Sequence, residues 1–329
     1  MKQKILIISF SFEQEQEAFQ VLREGGYEPL LLAERDRRGF TEEDLINYWN
    51  SLTDKPVGIL IGADISLGKK FANQADGLKV ISLNCAGYDH LDLDSFKKKN
   101  ILICNIPRQN FDAVADFVWG QILSVMRRIP EGDRAIRKGK WCEGVERGYA
   151  VSKKTIGIIG FGAIGQAVAK RAVGFDMNII VSSTSENAEL AIKYNATYVK
   201  RETLFREADI IIPTCPHEPE THHIINENTL GMMKKSAFVV NSSRGGIIDT
   251  KALYVALKSG NIAGAALDVF EEEPLYVSEL FTLENVVLTP HMGGLADREI
   301  HRVAIQSAYN MVTLLNGEFT GTELNGGNI

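Results

Sequence analysis

Residues Lys153 to Thr184 read KKTIGIIGFGAIGQAVAKRAVGFDMNIIVSST. This is an apolar strand, a glycine turn, a helix and a second apolar strand within about thirty residues, the size of one βαβ unit. No other stretch limits the fold so strongly. The turn is Gly160-Phe161-Gly162-Ala163-Ile164-Gly165, a complete G-x-G-x-x-G. Gly160 suits a tight turn, Gly162 lets bare backbone approach a pyrophosphate, and Gly165 lets the helix lie close on the strand. The helix that opens at Ala163 and Ile164 would offer the phosphates free N–H groups and a positive dipole end. In a chain with 29 glycines the spacing alone means little, but a strand before it and a helix after it make the reading dinucleotide binding.

The rest of the chain repeats the same alternation. Before the turn, strands are expected at Ile5–Phe10, Pro29–Leu32, Val57–Ile61, Lys79–Leu83 and Ile101–Cys104. Helices are expected between them at Glu13–Glu24, Glu42–Leu52, Leu67–Gln74 and Leu93–Lys99. Gly25-Gly26 reads as the stop of the first helix and Thr41 as the N-cap of the second. After the turn, strands are expected at Asn178–Val181, Ala196–Val199, Asp209–Pro213, Ala237–Asn241, Ala263–Asp268 and Val286–Thr289. Strands separated by helices mean parallel sheets, and 329 residues with 45% hydrophobic content suffice for two cores. An amphipathic helix over Asp112–Arg128, then a polar, charged arm over Glu131–Ser152, separate the two series. A last helix, Asp297–Leu315, is expected to return to the first.

The net charge of −6 argues against a general nucleic-acid or acidic-membrane binder. Cys85, Cys104, Cys142 and Cys215 show no metal-ligand spacing and read as reduced cytosolic thiols. The apolar run near the N-terminus is too short for a membrane span and lacks a small-residue cleavage site. His217, His222 and His223 share one loop, but adjacent His222 and His223 are expected to point apart, so no metal site is expected.

Chemistry is expected at strand ends. In open α/β sheets ligands bind outside the carboxyl ends of parallel strands, and three such ends carry Arg244, Glu273 and His291. Arginine provides a permanently charged planar fork for a carboxylate or a polarised keto oxygen. Histidine exchanges a proton near neutral pH, and a neighbouring carboxylate favours its charged form. Beside a nicotinamide these three suit hydride transfer to or from C2 of a 2-keto or 2-hydroxy acid. The loop Asn84-Cys85-Ala86-Gly87-Tyr88-Asp89 also follows a strand; it reads either as a ligand loop or as a plain βα turn with Gly87 at a special backbone angle.

The passages NSSRGGIID (Asn241–Asp249), AGAALDVFEEEP (Ala263–Pro274) and LTPHMGG (Leu288–Gly294) together resemble the D-isomer-specific 2-hydroxyacid dehydrogenase family, and the similarity runs over nearly the whole chain. The resemblance implies Arg244 as substrate binder, Glu273 as the partner that raises the histidine's pKa, and His291 as acid/base in contact with substrate. It implies that Asp268 holds the nicotinamide carboxamide, that Cys215, Pro216 and Gly293 also line the cofactor, and that Ala86 and Gly87 offer N–H groups to the substrate carboxylate. It implies an α/β chain of two doubly wound parallel-sheet domains. A Rossmann nucleotide domain (108–293) is inserted into a flavodoxin-like substrate domain (1–107 and 294–329), and the cleft between them closes on the ligands. A homodimer through Asp112–Ser152 is implied too, without a further regulatory domain after Leu315.

One place departs from the pattern. An NAD-selecting fold usually ends its second strand with an acidic residue, about twenty residues past the turn. Here stand Ser182-Ser183-Thr184-Ser185, so Ser183 and Thr184 would meet the ribose without repelling a 2′-phosphate, yet no arginine stands beside them. The cofactor is expected to be NADP or NAD, with NADP favoured. Glyoxylate, hydroxypyruvate or a related small acid is the expected substrate. The alternatives are a dehydrogenase of formate or phosphite, against which the glutamate–histidine pair argues, and a nucleotide-sensing scaffold, for which long tails would be expected.

Overall fold

Short runs of Ile, Leu and Val that are buried on both faces form the centre of two parallel sheets. The computed structural model describes residues 2–9, 12, 14–32, 40–63, 65–107, 109–318 and 323–324. Within it the chain divides into two compact units, Met1–Asn110 with Ala296–Ile329, and Phe111–Leu295.

The first unit contains β1 (Lys4–Ile7), α1 (Gln16–Glu24), β2 (Glu28–Leu31), α2 (Glu42–Ser51), β3 (Gly58–Ile61), α3 (Lys69–Ala72), β4 (Val80–Leu83), α4 (Leu93–Lys97), β5 (Leu102–Cys104) and α12 (Asp297–Asn316). Its strands are all parallel in the order β2-β1-β3-β4-β5, the flavodoxin-like arrangement. On one face Trp49, Phe71 and Phe96 pack with Leu45 and Ile81. On the other, α12 presses Ala304, Ala308 and Met311 against Ile5, Ile7 and Leu60. Thr41 caps α2 in a reciprocal box with Asp44, and α1 stops at Gly25 with Gly26 at a φ of +92°. Phe10 and Glu13, the outer ends of the first expected strand and helix, lie outside the described residues.

The second unit contains α5 (Phe111–Met126), α6 (Ile129–Arg137), β6 (Thr155–Ile159), α7 (Ala163–Ala172), β7 (Asn178–Ser182), α8 (Ala188–Tyr194), β8 (Ala196–Tyr198), α9 (Arg201–Glu207), β9 (Ile210–Pro213), α10 (Glu227–Met232), β10 (Phe238–Asn241), α11 (Thr250–Lys258), β11 (Gly264–Leu267) and β12 (Val286–Leu288). The parallel order β12-β11-β10-β9-β6-β7-β8 is the Rossmann order with an added edge strand, and it reverses direction between β6 and β9. The carboxyl ends of β6, β9, β10, β11 and β12 therefore share one edge.

The sequence reads 131–152 as an arm, but its first part is helical. Pro130 in the first turn, Arg128–Glu131 at 2.7 Å and Arg137–Asp133 at 2.8 Å hold α6. Only Ala135 on it is buried, so an apolar stripe was missing from the sequence signal. Among the described residues no helix is long and apolar enough to cross a membrane.

Candidate active site

β6 runs into the glycine turn. Gly160 takes a φ of +88°, which favours glycine, and its N–H donates to Ser182 O at 2.8 Å across the β6–β7 pair. A Cβ on Gly165 would stand 2.6 Å from Gly160 O and 2.8 Å from Thr214 Oγ1, so α7 rests directly on the strand end. Gly162 is the N-cap of α7; no side chain caps it, and a Cβ there would meet nothing within 4 Å. An exposed, bare backbone at the N-terminus of a ten-residue helix fits a dinucleotide's pyrophosphate. Ala163 and Ile164 form the first turn of that helix. Cys215 follows β9 and lies against Gly160, a Cβ on which would be 3.0 Å from its N. Burial raises the Cys215 thiol's pKa. Pro216 comes next, exposed. Ser183 and Thr184 follow β7, whose last residue, Ser182, pairs with Ile159 of β6.

β10, β11 and β12 are neighbours in register, so the loops after them lie side by side. Fully buried Asn241 shapes the first loop: its Oδ1 accepts from Ser243 N at 3.0 Å and its Nδ2 donates to Arg244 O at 2.9 Å. Arg244 is extended and donates from Nη1 to Ser243 O at 2.7 Å. Asp268, 1% exposed, directly follows β11. Its carboxylate accepts from Thr289 Oγ1 at 2.6 Å, Met292 N at 3.0 Å and Gly293 N at 2.7 Å. Burial raises the Asp268 pKa against the pull of these bonds.

The same bonds hold the third loop, where His291 N donates to Asp268 O at 2.8 Å. His291 sits at a φ of +49°, uncommon for a residue with a side chain and over-determined here by its neighbours. Its Nδ1 meets Glu273 Oε2 at 2.6 Å, while Glu273 Oε1 accepts from Phe270 N at 2.8 Å. The Glu273 bond raises the His291 pKa, partial burial opposes it, the charges of Glu273 and Asp268 add to it, and Arg244 counteracts. Burial works against ionisation of Glu273, but the bond and charge of His291 outweigh it and lower its pKa. With Nδ1 committed to Glu273, Nε2 is the ring nitrogen left to exchange a proton.

Ala86 and Gly87 lie in the first unit, half-buried in the loop after β4. Gly87 does not have a positive φ, so the special backbone angle considered for it is absent. The three histidines after β9 do not point apart. His217 Nε2 is 3.0 Å from His222 Nδ1, the His222 and His223 rings stack at 3.9 Å, and His223 Nε2 meets Glu271 Oε1 at 2.6 Å. His223 itself sits at a φ of +49°. Among the described residues no group of three or more His, Cys, Asp or Glu side chains is arranged to hold a metal ion.

Residues 119–293 match the family model described as D-isomer specific 2-hydroxyacid dehydrogenase, NAD binding domain. A glyoxylate reductase of Pyrococcus horikoshii is 42% identical over 79% of this chain and 80% of its own. The chain belongs to the D-isomer-specific 2-hydroxyacid dehydrogenase family. Apo D-lactate dehydrogenase from Escherichia coli superposes with a TM-score of 0.83 at 28% identity, over 98% of this chain and 100% of that one. An acyclic imino acid reductase solved with NADPH and D-Arg gives a TM-score of 0.79 at 27% identity, over 97% and 99%. The protein is thus an NAD(P)-dependent dehydrogenase of 2-hydroxy acids.

One residue of this dehydrogenase's strand-end network escapes the sequence reading. Gln121 on α5, 3% exposed, accepts from Ser242 Oγ at 2.7 Å and donates to Thr289 Oγ1 at 3.2 Å, which in turn bonds Asp268. It joins the first and third loops. A signal existed: Gln121 falls three residues after Val118 and four before Val125, on the buried face of the helix.

Proposed function

We propose that the protein reduces a small 2-keto acid, glyoxylate or hydroxypyruvate class, to the D-2-hydroxy acid, with His291 as the proton donor. The observation that carries this reading is the 2.6 Å pairing of His291 Nδ1 with Glu273, which leaves Nε2 as the exchanging nitrogen and favours the charged form of the ring. The glyoxylate reductase at 42% identity supports the substrate class.

The nicotinamide, when bound, supplies the hydride that C2 receives. His291 Nε2 gives its proton to the C2 oxygen as the C=O bond becomes C–O–H, and in the reverse direction takes it back. Glu273 fixes the ring and stabilises the imidazolium. Arg244 fixes the acid and polarises the keto oxygen. Ala86 and Gly87 give backbone N–H groups to the carboxylate. Gly160, Gly162, Ala163, Ile164 and Gly165 hold the pyrophosphate, and Cys215, Pro216 and Gly293 complete the dinucleotide contacts. Asp268 has three protein donors on a carboxylate that accommodates about four. One acceptor position remains for the carboxamide.

Phe111–Leu295 would serve as the nucleotide unit, and the other unit as the substrate unit. Ser183 and Thr184, with no carboxylate at the end of β7, favour NADP. A homodimer through α5, α6 and the following arm is supported by exposed apolar groups, with Ile129 and Ile136 each 54% and Trp141 81% exposed. The free cysteines suit the cytoplasm. The test is NADPH and NADH oxidation with glyoxylate, hydroxypyruvate, pyruvate and phenylpyruvate, followed by chiral separation of the product. Turnover of glyoxylate and hydroxypyruvate, with D-glycerate formed from hydroxypyruvate, supports the reading, and L-glycerate or no turnover of any keto acid refutes it.

A further inference from the structure

A trans peptide is planar, with its C=O and its N–H on opposite edges. Fixing one residue's carbonyl therefore aims the next residue's N–H the other way. After β4, three consecutive carbonyls are fixed from within the first unit. Ile106 N donates to Cys85 O at 3.2 Å, Asn105 Nδ2 to Ala86 O at 2.6 Å, and Cys85 Sγ to Gly87 O at 3.2 Å. The first two donors stand just past β5, so the N–H groups of Ala86 and Gly87 are turned away from that strand end. Among the described residues neither N–H donates to a backbone acceptor. Successive N–H groups presented this way form an anion-binding concavity. The base of the loop is held as firmly: Asn84 N donates to Ile61 O at 2.7 Å, and the Asn84 side chain bridges Ser9 Oγ at 3.2 Å and Ser307 Oγ at 3.3 Å.

Asn105 differs from the other buried polar groups of this loop. It is 7% exposed, and its Oδ1 is buried without a hydrogen-bond partner among the described residues. An unpaired buried carbonyl costs free energy that an apolar side chain would avoid. Turning the amide over would pair nothing, because it would set Oδ1 against Ala86 O. The residue therefore accepts one unsatisfied atom in order to keep its NH2 on the Ala86 carbonyl, the bond that aims the Gly87 N–H.

We propose that Asn105 is a positioning residue for substrate: by holding the Ala86 carbonyl it aims the Gly87 N–H and so sets the affinity for the carboxylate of the keto acid. This rests on the reading of Ala86 and Gly87 as the carboxylate's donors. Asparagine suits the position where aspartate would not, since a carboxylate there would face a carbonyl and put a negative charge behind an anion site.

The test uses the full chain with Asn105→Ala and Asn105→Asp, measuring kcat and KM for glyoxylate and for its uncharged methyl ester, and the Kd of NADPH. The expected result is a KM for glyoxylate raised tenfold or more, further in the aspartate variant, with kcat within threefold and with ester turnover and NADPH affinity unchanged. The acid-to-ester ratio of kcat/KM then falls at least tenfold. Loss of general folding would lower acid and ester turnover together and weaken NADPH, and Asn105→Asp, which keeps the side-chain volume, carries the test if the alanine variant does not fold. A wild-type acid-to-ester ratio retained in the folded variants overturns the role of Asn105. A wild type that does not itself favour the acid over the ester overturns the carboxylate reading beneath it.

Discussion

Replacing Glu273 by glutamine keeps the shape of the His291 partner and removes its charge. The bond is short, 2.6 Å, and charge-assisted. Such bonds contribute a net of about 1.5–3 kcal/mol. With the His291 side chain 41% exposed and that of Glu273 33%, solvent screening favours the lower end. About 1.5 kcal/mol corresponds to roughly a tenfold loss in kcat/KM for reduction, where each 1.36 kcal/mol is tenfold. The pH dependence separates this from simple damage. Reduction needs protonated His291, so its rate falls as pH rises through the His291 pKa, which Glu273 raises. In Glu273→Gln that alkaline fall moves to lower pH. Oxidation needs neutral His291, so its acid-side rise moves to lower pH as well. Stopped-flow or steady-state profiles in both directions read the two limbs. A variant with both limbs where wild type has them, and an equal loss at every pH, would refute the pairing as the source of the raised pKa.

The same pair predicts a pH window in stability. Raised His291 contributes below its ordinary pKa and loses that contribution as pH rises through the raised value, while lowered Glu273 contributes above the ordinary carboxylate range and loses it as pH falls through the lowered value. The melting-temperature deficit of Glu273→Gln is therefore largest between those limits and shrinks on both sides in a calorimetric series. The glycines of the turn separate packing from binding. Gly165→Ala forces a Cβ to within 2.6 Å of backbone, and overpacking of this kind costs about 1–3 kcal/mol, visible as a lower melting temperature. Gly162→Ala meets no protein atom within 4 Å, so its melting temperature stays near wild type while NADPH binding by fluorescence titration weakens about tenfold or more, as about 1.4 kcal/mol of lost backbone contact requires. Ser183→Asp is expected to lower kcat/KM with NADPH by about tenfold or more relative to NADH, since a carboxylate repels a 2′-phosphate; an unchanged ratio would count against a ribose-side role for Ser183. Gln121→Leu leaves the Ser242 hydroxyl without its acceptor and removes one donor from Thr289, which keeps its bond to Asp268, and is expected to cost about 1–3 kcal/mol of stability in a urea titration.

Much of this was readable because the chemistry sits where one-dimensional signals are strongest. Apolar runs between helices announced parallel strands, and residues immediately after such runs, Arg244, Glu273 and His291, had to lie near one sheet edge. The observed strands start and end within a few residues of the expected ones, apart from the stretch that falls outside the described residues. Contacts far apart in sequence were less visible. Gln121 looks like an ordinary polar helix residue until its helix lies across the ends of β10 and β12. Asp268 follows its strand in plain view, yet that its carboxylate holds the His291 loop depends on backbone N–H groups that no residue type announces. α6 looks like the start of a polar, charged arm in the sequence because ion pairs and a proline hold it rather than a buried stripe. The expectation for His222 and His223 assumed ordinary backbone angles, which His223 does not have.

The most direct test of the account is the His291→Ala variant, assayed for glyoxylate and hydroxypyruvate reduction beside its affinity for NADPH. A general acid contributes about 10²–10⁴-fold. The account predicts a loss of turnover of about that size, with the NADPH Kd within a factor of about two, since the His291 ring is not assigned to the nucleotide. Turnover within about tenfold of wild type would contradict it, and would move the proton donor away from His291.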